Sequence, residues 1–283
     1  MILIRRLLLY SHLFLAACAA ALWCVTLKMS DGVVTYGPDF YLLVSSTLFY
    51  YNFHKFAYKF KSFRISEMIS MMMDKSVWLF ERVLFFMSGA VFLVSFLWAE
   101  TDVKLCWMAL AGCSLLYSLP MRWGKGKSRR LREIPALKLV DVALVWAIST
   151  VVIPLVSSNL FVVDISFWSI FISRFVLVFC LCIPFEIRDE QRERAHGFTS
   201  FMEYGRKNIF VAGTFMLLVA TLLVLLAYQQ NMIDQVELIS YVFTHTLAFA
   251  WIVMAKPTWP DWYFKFWVDG TMLAQFIFLT IFV

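Results

Sequence analysis

Long apolar runs separated by short polar connections dominate the chain. Mainly apolar windows fall near residues 7–28, 40–55, 83–99, 103–119, 137–157, 165–184, 209–228, 236–255 and 264–282. Crossing a hydrocarbon core about 30 Å thick takes roughly 20 such residues in a helix. The pattern therefore predicts an all-α integral membrane protein of about nine transmembrane helices. The third and fourth windows are separated only by Glu100, Thr101 and Asp102. Charges at the centre of a lipid-embedded helix cost about 2.5–3.5 kcal/mol each on insertion scales, so this run reads as two helices joined by a tight turn. Without a linker, a low-complexity tract or a soluble insertion, residues 1–283 are expected to form one transmembrane domain.

Composition supports this reading: 62% of the residues are hydrophobic and 16% charged, too little polar surface for a soluble domain of this size. The basic residues alternate between connections. Arg5 and Arg6 precede the first window, and Lys55, Lys59, Lys61, Arg64, Lys75 and Arg82 follow the second. Arg122 to Arg132 follow the fourth, Arg188 to Lys207 the sixth, and Lys256 and Lys265 the eighth. The opposite connections hold only Lys28 and Lys104. By the positive-inside rule the amino terminus is cytoplasmic and the carboxyl terminus external. The net charge of +6 then reflects topology and contact with anionic membrane lipids, and no compact basic domain suggests nucleic acid.

Several features have plain readings. Leu15-Ala16-Ala17-Cys18 resembles a lipoprotein cleavage box, but the apolar run continues through Trp23 and Val25, so a retained helix is expected. The six cysteines lie in or beside apolar windows without a metal-ligand spacing and read as small packing residues. Met68 to Met73, with Ile65, Ile69 and Trp78, form either an interfacial amphipathic stretch or ordinary packing. Asp141 and Arg174 are the charges most clearly inside windows. They pair with each other, or Asp141 takes a proton from a substrate. Lys138 reads as a snorkelling residue and His245, between Thr244 and Thr246, as an interhelical hydrogen-bond partner. The 29 Phe, 11 Tyr and 11 Trp serve core and interfacial packing or line a lipid cavity.

Chemistry concentrates at two helix ends on the same side. After the second window Asn52, Lys55 and Lys59 are spaced i, i+3, i+7, and after the sixth Glu186, Asp189 and Glu193 repeat that spacing. If the helices continue, one end carries a cationic face and the other an acidic face. A nine-window bundle with polar motifs after the second and sixth windows resembles the UbiA superfamily of intramembrane prenyltransferases. Glu186-Ile187-Arg188-Asp189 through Glu193, with Gly197 and Thr199 behind, is similar to the family's second acidic motif. Tyr117-Ser118-Leu119-Pro120-Met121-Arg122 is similar to a Y-S-x-P-x-R segment of several branches. The first motif departs: aligned on Asn52, Phe53, Lys55 and Lys59 stand where the family has three carboxylates.

The resemblance implies a UbiA-like bundle in a bacterial inner membrane. It also implies transfer of an isoprenoid chain from a prenyl diphosphate to an unidentified acceptor. In the family both acidic motifs hold Mg²⁺, which needs oxygen ligands that ammonium groups cannot supply. Three readings follow. In one, Asn52, Lys55, Lys59, Arg122 and Arg188 hold the diphosphate while Asp189, Glu193 and possibly a third ligand, Glu186, retain Mg²⁺. In another, Lys55 and Lys59 pair with Asp189 and Glu193, giving a non-catalytic lipid-binding protein. In the last, both faces are solvated helix ends. A transporter of the inverted-repeat kind is disfavoured, because the ten glycines and seven prolines form no paired helix breaks.

Overall fold

The computed structural model describes residues 6–30, 33–57, 79–118, 120–121, 129–130, 135–195 and 201–282. Helix accounts for nearly all of them, as expected where lipid offers the backbone no hydrogen-bond partner. After a π-helical turn at Arg6–Tyr10 come α1 (Leu13–Lys28), α2 (Pro38–Ala57), α3 (Leu79–Trp98) and α4 (Thr101–Ser118). A two-residue antiparallel pair, β1 (Pro120–Met121) with β2 (Arg129–Arg130), leads to α5 (Pro135–Ala147). A π-helical turn (Ile148–Val152) and α6 (Ile153–Ser157) continue α5. Then follow α7 (Ile165–Ala195), a 3-10 turn (Phe201–Tyr204), α8 (Arg206–Gln229) and α9 (Gln235–Met254). The last helical segment is α10 (Asp261–Tyr263), a π-helical turn (Phe264–Val268) and α11 (Asp269–Phe282).

Each apolar window lies on a helical segment, and the break between α3 and α4 falls at Ala99 and Glu100. Six segments are long and apolar enough to cross a membrane: Leu79–Trp98, Ala136–Ser157, Ile165–Glu190, Arg206–Gln229, Gln235–Met254 and Asp261–Phe282. Helix α1 is apolar but shorter, at 16 residues. Exposed apolar side chains fit this setting. On α3, Val83, Phe86, Leu93, Val94 and Leu97 all face outward, which water would penalise and lipid does not.

The described chain divides into two compact units. In the first (Met1–Ala20, Thr35–Glu100), α2 packs on α3 through Phe49, which stacks on Phe85 with ring centroids 4.8 Å apart. The Phe49 ring lies over Gly89, where a β-carbon would come within 3.2 Å of it. The second unit (Ala21–Val34, Thr101–Val283) is centred on a buried cluster containing Val25, Val151, Ile170, Val224, Tyr241 and Leu279. A capping box starts α9, with the Glu237 N–H donating to Asp234 Oδ1 at 2.7 Å and the Asp234 N–H to Glu237 Oε2 at 2.8 Å. The turns before α7 and α9 use Asn159 and Asn231 at φ 55° and 56°, left-handed geometry that asparagine tolerates.

Gly213 lets α8 approach both α7 and α9. A β-carbon there meets Ile183 Cδ1 at 3.2 Å and Ile252 Cδ1 at 3.3 Å, the movable ends of both chains. Gly213→Ala is expected to be nearly neutral, because a small steric cost offsets the gain in helix propensity. Gly213→Val is expected to lose about 1–3 kcal/mol by overpacking. Thermal unfolding of the detergent-purified variants measures the difference.

Candidate functional site

Helix α7 does not stop at the end of its apolar window. It runs through Pro184 to Ala195, so Glu186, Asp189 and Glu193 lie on continuous helical backbone and share one side. The proline lacks an N–H for the preceding turn, but the neighbouring helices hold this stretch: Ile183 is 1% and Ile187 2% exposed. The acidic motif thus forms on the rigid extension of a membrane helix.

Two of the acidic groups, Glu186 and Asp189, are paired with cations of their own unit. Glu186, 3% exposed, accepts an ion pair from Lys138 on α5, Nζ to Oε1 at 2.6 Å. Lys138 therefore turns to a buried carboxylate, where snorkelling to the interface was expected. Arg188 folds onto the next residue, donating from Nε to Asp189 Oδ1 at 2.8 Å and from Nη2 to Asp189 Oδ2 at 2.7 Å. Its Nη1 lies 3.4 Å from Asp261 Oδ1. The guanidinium carbon also sits over the Phe185 and Phe264 rings, 5.1 and 5.4 Å from their centroids. Asp269 lies within electrostatic reach of Arg188 and Lys265. Sequence reading missed Asp261 and Asp269. The signal was Asp261, Lys265 and Asp269 spaced four apart, the helical pattern of alternating charge on one side.

Among the sequence-assigned diphosphate ligands, Asn52 is fully buried and donates from Nδ2 to Ser11 O at 3.1 Å and Leu48 O at 2.8 Å. Only its acceptor oxygen remains, and an acceptor cannot hold a phosphate oxygen. Asn52 therefore ties α2 to the start of the chain. Lys55 follows on the same helix, but its side chain lies outside the described residues, as does that of Glu193. Lys59, Arg122 and the Met68–Met73 stretch lie wholly outside them. Arg188, assigned to phosphate, is committed to Asp189 and Asp261.

The donor set does not fit Mg²⁺ in this arrangement. Each Asp189 oxygen already accepts from Arg188, and Glu186 Oε1 accepts from Lys138. Two guanidinium and ammonium charges beside these carboxylates oppose a divalent cation. Among the described residues no group of three or more His, Cys, Asp or Glu side chains converges in metal-holding geometry.

Deeper in the unit, Arg174 does not pair with Asp141. It is 1% exposed and donates from Nη1 to Leu22 O and Thr150 Oγ1, both at 3.2 Å. The antiparallel register of α5 and α7 explains this. Lys138 faces Glu186 and Thr150 faces Arg174, so Asp141 sits nine residues, roughly 13 Å, from the level of Arg174. Thr150 also joins α1, since Thr26 Oγ1 donates to Thr150 O at 2.6 Å. His245 bonds across helices, its Nδ1 lying 2.8 Å from Thr221 Oγ1.

No family model matches the chain, and no curated protein matches it. Solved structures do. A digeranylgeranylglyceryl phosphate synthase superposes with a TM-score of 0.58 at 13% identity, covering 94% of this chain and 90% of its own. A UbiA homolog from Archaeoglobus fulgidus, bound to GPP and Mg²⁺, superposes with a TM-score of 0.58 at 13% identity, covering 96% of this chain and 97% of its own. The protein is an all-helical integral membrane protein with the UbiA fold.

The buried ion pair makes a direct prediction. Lys138→Met leaves the Glu186 carboxylate buried beside an apolar side chain and is expected to cost about 3 kcal/mol. Lys138→Met combined with Glu186→Gln is expected to recover at least half of that loss. A double-mutant cycle on thermal unfolding gives the coupling, and an additive cycle means that the pair contributes nothing.

Proposed function

We propose that the protein is a UbiA-like intramembrane prenyltransferase that transfers an isoprenoid chain from a prenyl diphosphate to an acceptor. The observation that carries this reading is the UbiA fold shared over almost the whole chain with a homolog that binds GPP. In this reading the diphosphate is held by cationic side chains. Lys55, Lys59 and Arg122 take its oxygens, while Asp189, Asp261 and the Phe185 and Phe264 rings orient Arg188 at the second motif. As the carbon–oxygen bond of the donor lengthens, negative charge accumulates on the departing diphosphate, and lysine and arginine stabilise it. The electron-deficient isoprenoid carbon then bonds to the acceptor, which gives up a proton to the released diphosphate. Glu186 is unsuited to receive that proton while it pairs with Lys138. Mg²⁺, which the A. fulgidus homolog binds, has no step in this scheme.

A second reading is supported by the sealing of Asp189 against Arg188. With both carboxylate oxygens engaged, the second motif is a structural ion pair, and the protein binds a long-chain lipid without turning it over.

Equilibrium binding of labelled GPP to purified protein, with Mg²⁺ or with EDTA, separates these outcomes. We expect binding to change less than about twofold between the two conditions, and Lys55→Ala/Lys59→Ala to weaken it at least about tenfold, the scale of losing charge-assisted contacts. Asp189→Ala, which removes one of the groups that orient Arg188, is expected to lower stability and to weaken binding to the same extent with Mg²⁺ and with EDTA. Strict Mg²⁺ dependence abolished by Asp189→Ala would instead make that residue a metal ligand. Binding without diphosphate release, across a panel of aromatic and glycerolipid acceptors, favours the non-catalytic reading.

A further inference from the structure

The second unit carries a groove that the acidic motif does not use. It has a volume of about 240 Å³, with Ile183 and Ile187 of α7, Phe210 of α8 and Ile252 of α9 along its floor. Arg206 and Lys207 stand at its mouth as the first two residues of α8. Neither Lys138, Glu186, Arg188 nor Asp189 lines it.

A helix start is the positive end of its dipole and favours carboxylates, yet α8 has no acidic residue in its first turn. Gly205 precedes it at φ 84° and supplies no side-chain cap. Among the described residues neither Arg206 nor Lys207 forms an ion pair, and Glu203, three residues before Arg206, pairs with neither. Arg206 is nonetheless held in place, because its Nη2 donates to Ala255 O at 2.7 Å, at the end of α9. A held guanidinium with an exposed ammonium next to it in the chain, both at a helix start, match a multivalent oxyanion.

The groove's surroundings say what else that anion carries. Val253 on its rim is 48% exposed, so the groove opens outward. Its lining is apolar apart from the two cations, with Met202, Ile209 and Phe210 beside the isoleucines. A ligand with a phosphate at one end and a hydrocarbon chain at the other covers both features.

We infer that this groove is a binding site for an anionic glycerophospholipid. Its phosphate lies on Arg206, Lys207 and the uncapped N–H groups that start α8, and an acyl chain lies on the isoleucine floor. Basic pockets between membrane helices take such headgroups by the same combination of charge and apolar contact. A bound lipid supplies the negative charge that the α8 start lacks. It also bridges α7, α8 and α9 beside the level at which Gly213 meets Ile183 and Ile252.

The test uses full-length protein, delipidated in a neutral detergent and titrated with phosphatidylglycerol or phosphatidylcholine. Native mass spectrometry reads occupancy and thermal unfolding reads the linked stabilisation. Wild type is expected to hold phosphatidylglycerol about tenfold more tightly than phosphatidylcholine, from two uncompensated cations near the headgroup. Lys207→Gln, a change at an exposed side chain, is expected to weaken it about fivefold, and Arg206→Gln by at least as much. Val253→Trp, which fills the groove from its outer rim, is expected to remove the bound lipid while helicity is retained. Lys28→Gln, at the other end of the bundle, is expected to change nothing. Equal affinity for the two lipids, or wild-type retention in both Lys207→Gln and Val253→Trp, overturns the site. Displacement of the phospholipid by stoichiometric GPP also overturns it, because the groove would then belong to the isoprenoid diphosphate.

Discussion

The register between α5 and α7 is the constraint on which the second unit depends. Two polar clamps hold it, Lys138 to Glu186 at one level and Thr150 to Arg174 at another. Between apolar helices in lipid, dispersion packing alone distinguishes poorly among registers, because one leucine surface slides over another at small cost. A buried carboxylate without its ammonium, or a guanidinium without its hydroxyl and carbonyl, is costly in such surroundings. These pairs therefore select one alignment, and that alignment decides where the end of α7 projects.

The π-helical turn in α5 belongs to the same device. Its Thr150 accepts from Arg174 through the hydroxyl and from Thr26 through the carbonyl, so one wide turn serves two neighbouring helices. At the other end of α7, Arg188 stands between Asp189 and Asp261 on the faces of two phenylalanines. This geometry satisfies the guanidinium from several directions. The acidic end of α7 thus presents a carboxylate–guanidinium pair at Arg188 and Asp189.

Much of the fold was legible along the chain because crossing lipid imposes a length and a composition on every helix. The split at Glu100 to Asp102 is the clearest instance, since a charged helix centre is excluded whatever the neighbours do. The acidic spacing at Glu186, Asp189 and Glu193 was readable for the same local reason, a helical period that needs no partner. His245 was legible as a hydrogen-bonding residue, although its partner Thr221 was not. The pairing of Asp141 with Arg174 was misread because proximity along the charge list is not proximity in space. Asp261 and Asp269 were passed over because they lie 72 and 80 positions from Asp189, and only chain reversal brings Asp261 to Arg188.

Sequence alone thus determined the membrane class, the helix positions and the acidic end of α7, all of which follow from the one-dimensional rules of lipid burial and helical period. Tertiary structure decided which charge meets which. It turned Lys138 toward Glu186, Arg188 toward Asp189 and Asp261, and Arg174 away from Asp141. It also opened a groove beside Arg206 and Lys207 that no local pattern announces. The physical reason is range: a hydropathy window or a helix face is set within about 20 residues, whereas a buried ion pair depends on the register of helices distant in sequence.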